Sequence, residues 1–497
     1  MRAESEHRKF QKKVLSPPSS FLGPSLLRGA ARSVALAVLL EVERGRAFAD
    51  EVLDRTLNRT ELDARDRALV YELVYGVLRY QATLDWRLEH LMDRRMERVP
   101  TLIKMTLRLG AYQVLYLQKI PHSAAVNEAV LLVKPLKKQQ GKEWSGFVNA
   151  VLRALTREQA PPWPDPNQDP VTALSVRYSC PPWLTARWVD RLGADTAATL
   201  CQATCEIPPL TIRVNTLRQT REKLTGDLIQ AGHQATPTAV SPVGLVLEKC
   251  GPVTALPRFH EGAFYVEDEA AQLVAPLLDP QPGERVLDAC AAPGGKSTHL
   301  AALMQNRGEI VAMDRNVERL RLLEDNCRRL GVTIVTAVGV DATLDPGTLL
   351  SQTLAASARL HPDSAALLRE RPFDRILVDA PCSGLGVLRR HPEGKWRKGV
   401  HLLEQHHATQ VRLLDHVSHL LRPGGVLVYS TCSTEPEENE HVIDQFCHAH
   451  GEFRREPVAP WLPPSGLSLL TNRGEFSTIS HAHCMDLFFA ARLRKAS

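Results

Sequence analysis

The second half of the chain constrains the fold most, because short apolar runs alternate with helical stretches after about residue 262. The apolar runs are residues 285–289, 309–314, 333–338, 373–379 and 425–430. Helical stretches such as 317–330 and 402–421 separate them. Because such alternation forms βαβ crossovers, residues 262–497 are predicted to be an α/β domain with a parallel, doubly wound sheet. Its ligand should bind beyond the carboxyl ends of the strands.

The chain before this region is predicted to contain a tail and two smaller domains. Residues 1–29 are basic without an apolar core and are expected to be a disordered tail. Residues 30–160 carry apolar residues at helical spacing and little proline, which predicts a helical bundle. Five prolines in residues 160–170 indicate a linker. The mixed patterns of residues 171–260 predict a small α/β domain.

The charges are distributed unevenly along the chain. Residues 1–160 hold 27 Lys and Arg against 18 Asp and Glu, a net of +9, so the remainder carries −4 of the total of +5. A basic front end suits a polyanionic partner such as RNA. A solvated helical surface rich in arginine explains the same count.

The composition argues against a membrane or metal protein. The longest early apolar run, Val34 to Leu40, is too short for a membrane span. Ten cysteines without dense even spacing indicate reduced thiols in a cytoplasmic protein. Cys201 and Cys205 have no second Cys/His pair at finger-like spacing, so we expect no metal.

The turn after the first predicted strand, Asp288 to Thr298, is a candidate binding loop. Its glycine pair lets the backbone approach a ligand closely. A phosphate-binding P-loop is disfavoured, because Cys290 stands where the first glycine belongs and Pro293 lacks an amide donor. The candidate binding residues are Cys290, Ala291, Ala292, Pro293, Gly294, Gly295 and Lys296.

Three acidic residues at successive strand ends favour a cationic nucleoside cofactor over a triphosphate. Asp314 can accept the hydroxyls of a ribose, Asp341 can accept from an adenine amino group, and Asp379 ends the fourth strand. Helix capping or turn formation explains each acid equally well when it is taken alone. Their shared edge of the sheet indicates a pocket for a nucleoside sulfonium.

Two cysteines follow the fourth and fifth strands, Cys382 in Asp-Ala-Pro-Cys-Ser-Gly-Leu-Gly and Cys432 in Ser-Thr-Cys-Ser. A single free cysteine is most often an inert buried residue. Two thiols suit a pyrimidine ring, since a thiolate that adds to C6 makes C5 able to accept a methyl group. The second thiol can assist the elimination, and Asp379 can hydrogen-bond to N3 of the ring. These residues alone leave open which cysteine attacks.

Together, the motifs that begin at residues 290, 379 and 430 resemble the RNA cytosine-C5 methyltransferases of the Nol/Nop/Sun group. Residues 262–272 look like the segment that precedes the catalytic domain in these enzymes. The front bundle, including residues 147–153, is similar to the antitermination protein NusB. This fusion resembles the bacterial branch of the group that modifies one cytosine of 16S rRNA, by family cytosine 967.

The resemblance implies an RNA methyltransferase with a Rossmann-like catalytic domain that uses S-adenosyl-L-methionine. Cys432 would be the nucleophile and Cys382 the aid to product release. Residues 290–296, Asp314, Asp341 and Asp379 would hold the cofactor. The helical bundle and the small α/β domain would bind 16S rRNA, and we expect a cytoplasmic monomer.

The sequence departs from the family pattern at three places. Residues 345–372 are longer than expected and should form extra surface helices, Cys180 replaces a histidine, and the last predicted strand, 485–490, lacks a glycine before its aromatic residues. Two alternatives stay open. One is a methyltransferase for a cytosine of tRNA or of another rRNA site, and the other is a catalytically idle RNA-binding assembly factor.

Overall fold

The computed structural model describes residues 31–45, 47–134, 144–248, 250–344, 367–368, 371–479 and 485–497. Packing divides the chain into two compact units. The first comprises residues 1–206 and 388–397, and the second comprises residues 207–387 and 398–497. The proline-rich stretch contains no helix or strand before Pro170, as predicted, but it lies inside the first unit. The predicted domain limits stay predictions, and they differ from this division by packing.

The regular elements of the first unit are all helices among its described residues. Its helices are α1 (Ala31–Glu43), α2 (Ala49–Leu57), α3 (Ala64–Arg79), α4 (Gln81–Glu89), α5 (Thr101–Tyr116), α6 (His122–Val133), α7 (Trp144–Arg157), α8 (Pro170–Arg177), α9 (Pro182–Leu192) and α10 (Ala194–Ala203). The apolar run of α1, residues 34–40, is buried along its whole length. Local sequence sets some helix ends, since Asp169 caps α8 by accepting from the amide of Thr172 at 2.9 Å.

Residues Leu388–Arg397 complete the first unit and include a short helix, Gly394–Arg397. The buried Glu393 carboxylate accepts from the amide of Ala49 at 3.0 Å. The buried Lys395 ammonium donates to the carbonyl of Arg79 at 3.3 Å. These polar contacts satisfy charged groups that burial would otherwise destabilise.

The second unit begins with a small antiparallel sheet in the strand order β2-β3-β1-β4. Its elements are β1 (Leu210–Val214), α11 (Arg221–Gln230), β2 (Gln234–Pro237), β3 (Gly244–Glu248) and β4 (Phe264–Val266). The helix lies between the first two strands in sequence and packs its buried leucines on one face. Strands and a helix therefore occur together in this region, as its mixed sequence patterns predict.

The rest of the second unit is a larger mixed sheet with helices. In chain order its elements are α12 (Glu269–Gln272), α13 (Val274–Leu278), β5 (Arg285–Asp288), α14 (Gly295–Leu303), β6 (Glu309–Asp314), α15 (Val317–Leu330), β7 (Val335–Gly339), β8 (Phe373–Asp379), α16 (His401–Ser418), β9 (Leu421–Thr431), α17 (Glu440–Ala449), β10 (Phe453–Glu456), β11 (Phe476–Ser477) and β12 (Phe489–Lys495). The strand order is β10-β12-β9-β8-β5-β6-β7, and β11 pairs with β12.

The strands β9, β8, β5, β6 and β7 are parallel, whereas β12 is antiparallel to β9 and β10. Successive residues of these strands belong to different apolar clusters: Val286 and Ile310 lie in one, and Leu287 and Val311 lie in the other. Both faces of the sheet are therefore covered, which explains why its strands read as continuous apolar runs.

One predicted strand is wrong, and other predictions lie outside the described residues. The sequence predicts the last strand at residues 485–490, but its pairing with β9 begins at Phe489, opposite Thr431. Leu487 lies before this pairing begins, and its amide donates to the carbonyl of Gly386 instead of to β9. The predicted tail at 1–29 and the predicted helices in 345–372 lie outside the described residues, except for 367–368 and 371–372. Over the described ranges, no helix is long and apolar enough to cross a membrane.

Candidate active site

The candidate residues lie where the order of the parallel strands reverses. β5 pairs with β6 on one side and with β8 on the other, so chain connections leave it in two directions. Such a switch point leaves a crevice at the carboxyl ends of the strands, where α/β proteins bind their ligands. Asp288 ends β5, Asp314 ends β6, Asp379 ends β8, and Cys432 directly follows β9.

The candidate loop 290–296 forms the turn from β5 into α14. Gly294 has a φ of +102°, and a Cβ on it would lie 2.9 Å from Cγ of Leu323. Gly295 faces the crevice, where an added Cβ would lie 3.0 Å from the Glu267 carboxylate. Both positions therefore require glycine, one for its backbone conformation and the other for space.

A cavity of about 180 Å³ lies between this loop and the strand ends. It is lined by Tyr265, Glu267, Asp288, Cys290, Ala291, Ala292, Pro293, Gly295, Lys296 and Asp379. The structure thus brings Asp379 and most of the candidate loop to one cavity. Tyr265 and Glu267 were missed as site residues, although both belong to the segment 262–272 that carries part of the family resemblance.

Asp314 and Asp341 do not line this cavity. Asp341 makes only the local contacts of a turn, whereas Asp314 contacts both its own turn and the candidate loop. Asp314 accepts from the amides of Ala292 at 3.1 Å and Asn316 at 2.8 Å. Asp341 accepts from the amide of Thr343 at 2.9 Å and from its hydroxyl at 2.7 Å. Their assignment to a cofactor stays a prediction.

The Cys290 thiol lies within electrostatic reach of four carboxylates. Burial raises its pKa well above the usual value, and the four negative charges raise the pKa further. The carboxylates belong to Asp288, Asp314, Asp379 and Asp341. The three acids chosen from the sequence therefore gather around one thiol at the sheet edge, together with a fourth.

That fourth acid, Asp288, was missed by the sequence analysis although it ends the first strand of the sheet. It is fully buried, and Ser297 donates to its Oδ2 at 2.6 Å. Oδ1 has no hydrogen-bond partner among the described residues. Burial raises the pKa of Asp288 to about 7, against the opposing effect of the Ser297 hydrogen bond. A buried carboxylate oxygen at a cavity wall is an acceptor for a cationic ligand.

Lys296 is the cation of this crevice. Its Nζ donates to Oδ2 of Asp379 at 2.6 Å, and Ser430 donates to the other oxygen of Asp379 at 2.7 Å. Burial alone would lower the pKa of Lys296, but the charges of Asp379 and Glu267 outweigh it and the pKa is raised. The site therefore keeps an ion pair directly before the Cys382 loop.

The two candidate cysteines come together, with their sulfurs 3.4 Å apart. Both are free and partly buried. The pKa of Cys382 is raised well above its usual value, first by its hydrogen bond to Cys432 and then by burial and by the charges of Cys432 and Glu438. The contact with Cys432 and the burial of its thiol therefore disfavour ionisation of Cys382.

Backbone contacts hold the loops that carry these thiols. The amide of Gly386 donates to the carbonyl of Cys432 at 2.8 Å, and Leu487 donates to the carbonyl of Gly386 at 3.0 Å. A Cβ on Gly386 would lie 2.0 Å from the Leu487 oxygen. Within the described residues, no group of three or more His, Cys, Asp or Glu side chains could hold a metal ion.

Three family models match the chain. The model described as 16S rRNA methyltransferase RsmB/F matches residues 275–494. The NusB family model matches residues 29–157, and the ferredoxin-like domain of RsmF/B-like methyltransferases matches residues 180–254. The predicted helical front bundle and Rossmann-like methyltransferase fold are confirmed.

Relatives and solved structures extend this similarity over most of the chain. The probable ribosomal RNA small subunit methyltransferase B of Synechocystis is 37% identical over 469 residues, which cover 94% of this chain and 100% of the relative. The ribosomal RNA small subunit methyltransferase B of Pseudomonas syringae pv. tomato is 36% identical, with 89% and 94% covered. The crystal structure of PH0851 has a TM-score of 0.74 at 25% identity, with 94% and 98% covered.

Proposed function

The chain belongs to the 16S rRNA methyltransferase RsmB/F family, and on that premise we propose that it methylates C5 of one cytosine in 16S rRNA, cytosine 967. The methyl donor is S-adenosyl-L-methionine. The observation that carries the proposal is the pair of Cys382 and Cys432 sulfurs, 3.4 Å apart at the switch point of the sheet. We also propose that the protein works as a monomer in the cytoplasm, where its rRNA substrate lies.

The residues present fit this cofactor. When bound, it supplies a methyl group on a positively charged sulfonium. The free Oδ1 of Asp288 would accept from its ammonium group, and Asp314 and Asp341 would take the ribose and adenine, as their strand-end positions suggest. Glu267 and Asp379 also line the cavity, and each is paired with a cation, Arg213 and Lys296 respectively. Residues 290–296 would bring their backbone close to the ligand.

The nucleophile in this proposal is Cys432, whose thiolate adds to C6 of the unstacked cytosine. The bond from sulfur to C6 forms as the C5–C6 double bond shifts its electrons toward N3. The Lys296 ammonium, paired with Asp379 at 2.6 Å, lies beside Cys432 and favours negative charge there. The same pair supplies a proton donor for N3 of the ring.

Cys382 acts after the methyl group has been transferred. Its hydrogen bond to Cys432 and the charge of Cys432 keep it protonated in the free enzyme. Both effects vanish once Cys432 is a neutral thioether, so the Cys382 thiol then ionises more readily. Its thiolate takes the C5 proton, the C5–C6 double bond re-forms, and the Cys432 thiolate leaves. N3 of the ring returns its proton to the Lys296–Asp379 pair.

The front of the chain would bind the RNA, as we propose for residues 30–160 and 171–260. A cavity of about 440 Å³ opens between α6 and α7 and is lined by polar side chains that include Arg153 and Arg157. Arg153 donates to the Asn149 side chain at 2.9 Å, and Arg157 donates to the carbonyl of Arg153 at 3.2 Å. Both arginines are exposed, so their charges are available to phosphate.

Bisulfite sequencing of 16S rRNA tests the overall reaction. Cells that lack this protein should lose protection at cytosine 967 and keep it at other methylated cytosines. Protection lost instead in a tRNA or at another rRNA cytosine would contradict the proposed site. Unchanged protection throughout would favour a catalytically idle assembly factor.

Substitution of each cysteine separates attack from release. Cys382→Ala should accumulate a covalent RNA–protein adduct, because Cys432 still attacks while the elimination stalls. Cys432→Ala should form no adduct and transfer no methyl group. A denaturing gel of the protein with radiolabelled RNA and cofactor measures both. Cys250→Ala, which removes a partly buried thiol elsewhere in the second unit, is the control and should behave as wild type. If Cys432→Ala accumulates the adduct and Cys382→Ala forms none, Cys382 is the nucleophile and Cys432 assists release.

Cofactor affinity should depend on the ionisation of Asp288. With a pKa of about 7, its carboxyl is mostly protonated at pH 6 and mostly ionised at pH 7.5. Only the ionised form attracts a cation, so the Kd should fall roughly tenfold over that range. Asp288→Asn should bind weakly with no such pH dependence, as measured by calorimetry. The exposed Asp325→Asn is the control, and an unchanged pH profile in Asp288→Asn would exclude this role.

Reversal of one charge in the α6–α7 cavity should weaken RNA binding. Arg153→Glu should lower the affinity and reduce the slope of log K against log salt by about 1, because a phosphate contact is lost. Filter binding of a 16S rRNA fragment over a salt series measures both quantities. Arg65→Glu, an equal change at an exposed position of α3, should have little effect. Equal losses of RNA affinity in the two variants would show that the effect depends only on the net charge of the protein.

A further inference from the structure

Each of the two cysteines is followed by a serine, and both serines contact one buried carboxylate. The amide of Ser383 donates to Oε1 of Glu438 at 2.6 Å, and its hydroxyl donates to Oε2. The hydroxyl of Ser433 donates to the same Oε2, and the two serine hydroxyls are 3.3 Å apart. One side chain therefore joins two loops that are 50 residues apart in sequence.

The position of Glu438 is itself held from several sides. Its side chain is fully buried, and Gln410 donates to its Oε1 at 3.4 Å and to the carbonyl of Pro381 at 3.0 Å. Its own carbonyl accepts from the hydroxyl of Tyr429 at 2.6 Å. These donors to the carboxylate, two serines and a glutamine, are all neutral. A buried carboxylate whose donors are neutral destabilises the fold unless both of its oxygens accept well-placed hydrogen bonds.

We propose that Glu438 is a positioning residue that holds the Cys382 and Cys432 loops at the separation needed for attack and release. This inference rests on the proposed two-thiol reaction. By binding the residue after each cysteine, the carboxylate fixes both backbones from behind and leaves the sulfurs facing the substrate. Its negative charge also disfavours ionisation of the Cys382 thiol.

Kinetics of Glu438→Ala in the full-length protein test the positioning role. Loss of the contacts from Glu438 to the two cysteine loops should lower kcat about 100-fold, the effect expected when a reacting group is misplaced by about 1 Å. The KM for RNA and the Kd for cofactor should stay near the wild-type values, since the fully buried Glu438 side chain is not accessible to either ligand. Glu438→Gln keeps the size of the side chain and one acceptor, and should recover part of kcat. A kcat within a factor of about two of wild type in Glu438→Ala would overturn the proposal.

Ser418→Ala is the control for a loss of stability alone. It removes the hydrogen bond from the buried Ser418 hydroxyl to the carbonyl of Asp415 at the end of α16, and it touches neither Glu438 nor the two serines. Its melting temperature should fall while kcat stays near wild type. If Ser418→Ala loses as much kcat as Glu438→Ala, the effect is one of general stability and the proposal fails.

Capture of the thiol pair by phenylarsine oxide tests the geometry without any catalysis. This reagent bridges two thiols only when they are close, so the wild-type protein should bind it at the Cys382–Cys432 pair. A Cys382→Ala/Cys432→Ala variant gives the background. Glu438→Ala should lose most of the capture above background. Unchanged capture would overturn the proposed positioning role of Glu438. If the capture depends on Glu438 but the wild-type protein has no methyltransferase activity, the proposed function is rejected and the positioning role of Glu438 stands.

Discussion

The parallel pairing of β5 with β8, and of β8 with β9, is the constraint on which the whole site depends. Asp288 pairs with Leu377, and Asp379 pairs with Ser430. The pairing continues past the strand ends, because the amide of Ala380 donates to the carbonyl of Ser430 at 2.8 Å. A shift of one residue in this register would turn Asp379 to the other face of the sheet. The register therefore brings an acid, its lysine partner and both thiols together.

Buried charges supply the second layer of organisation. Arg213 of β1 donates to Glu267 at 2.6 Å, to the carbonyl of Gly295 at 2.6 Å and to Thr298 at 2.9 Å. These contacts hold the first turn of α14 from outside the large sheet. Because the guanidinium and the carboxylate are both buried, removal of either would leave an uncompensated charge, which costs far more than the pair contributes. The small sheet thus positions the loop that carries Lys296.

The sequence predicts the strand framework well and the side-chain partners less well. The limits of β6, β8 and α15 agree with their predicted residues. A short apolar run marks each strand, and Asn316 and Gly331 cap the two ends of the helix. The last strand was misplaced, since its start depends on pairing with β9 rather than on its own pattern. Cys382 and Cys432 could be chosen because each lies in a motif at a strand end. Glu438 could not, since its role depends on two loops distant in sequence.

The two buried acids of this site, Asp288 and Glu438, differ in how their carboxylate oxygens are hydrogen-bonded. Each is fully buried and each accepts from a serine hydroxyl. Both oxygens of Glu438 have protein donors, so its hydrogen-bonding capacity is spent on holding the chain. Oδ1 of Asp288 has no hydrogen-bond partner among the described residues, and Asp288 is one of the residues that line the cavity. An unsatisfied buried acceptor costs about 1–3 kcal/mol, so a donor brought by a ligand would offset that cost, as proposed for the cofactor.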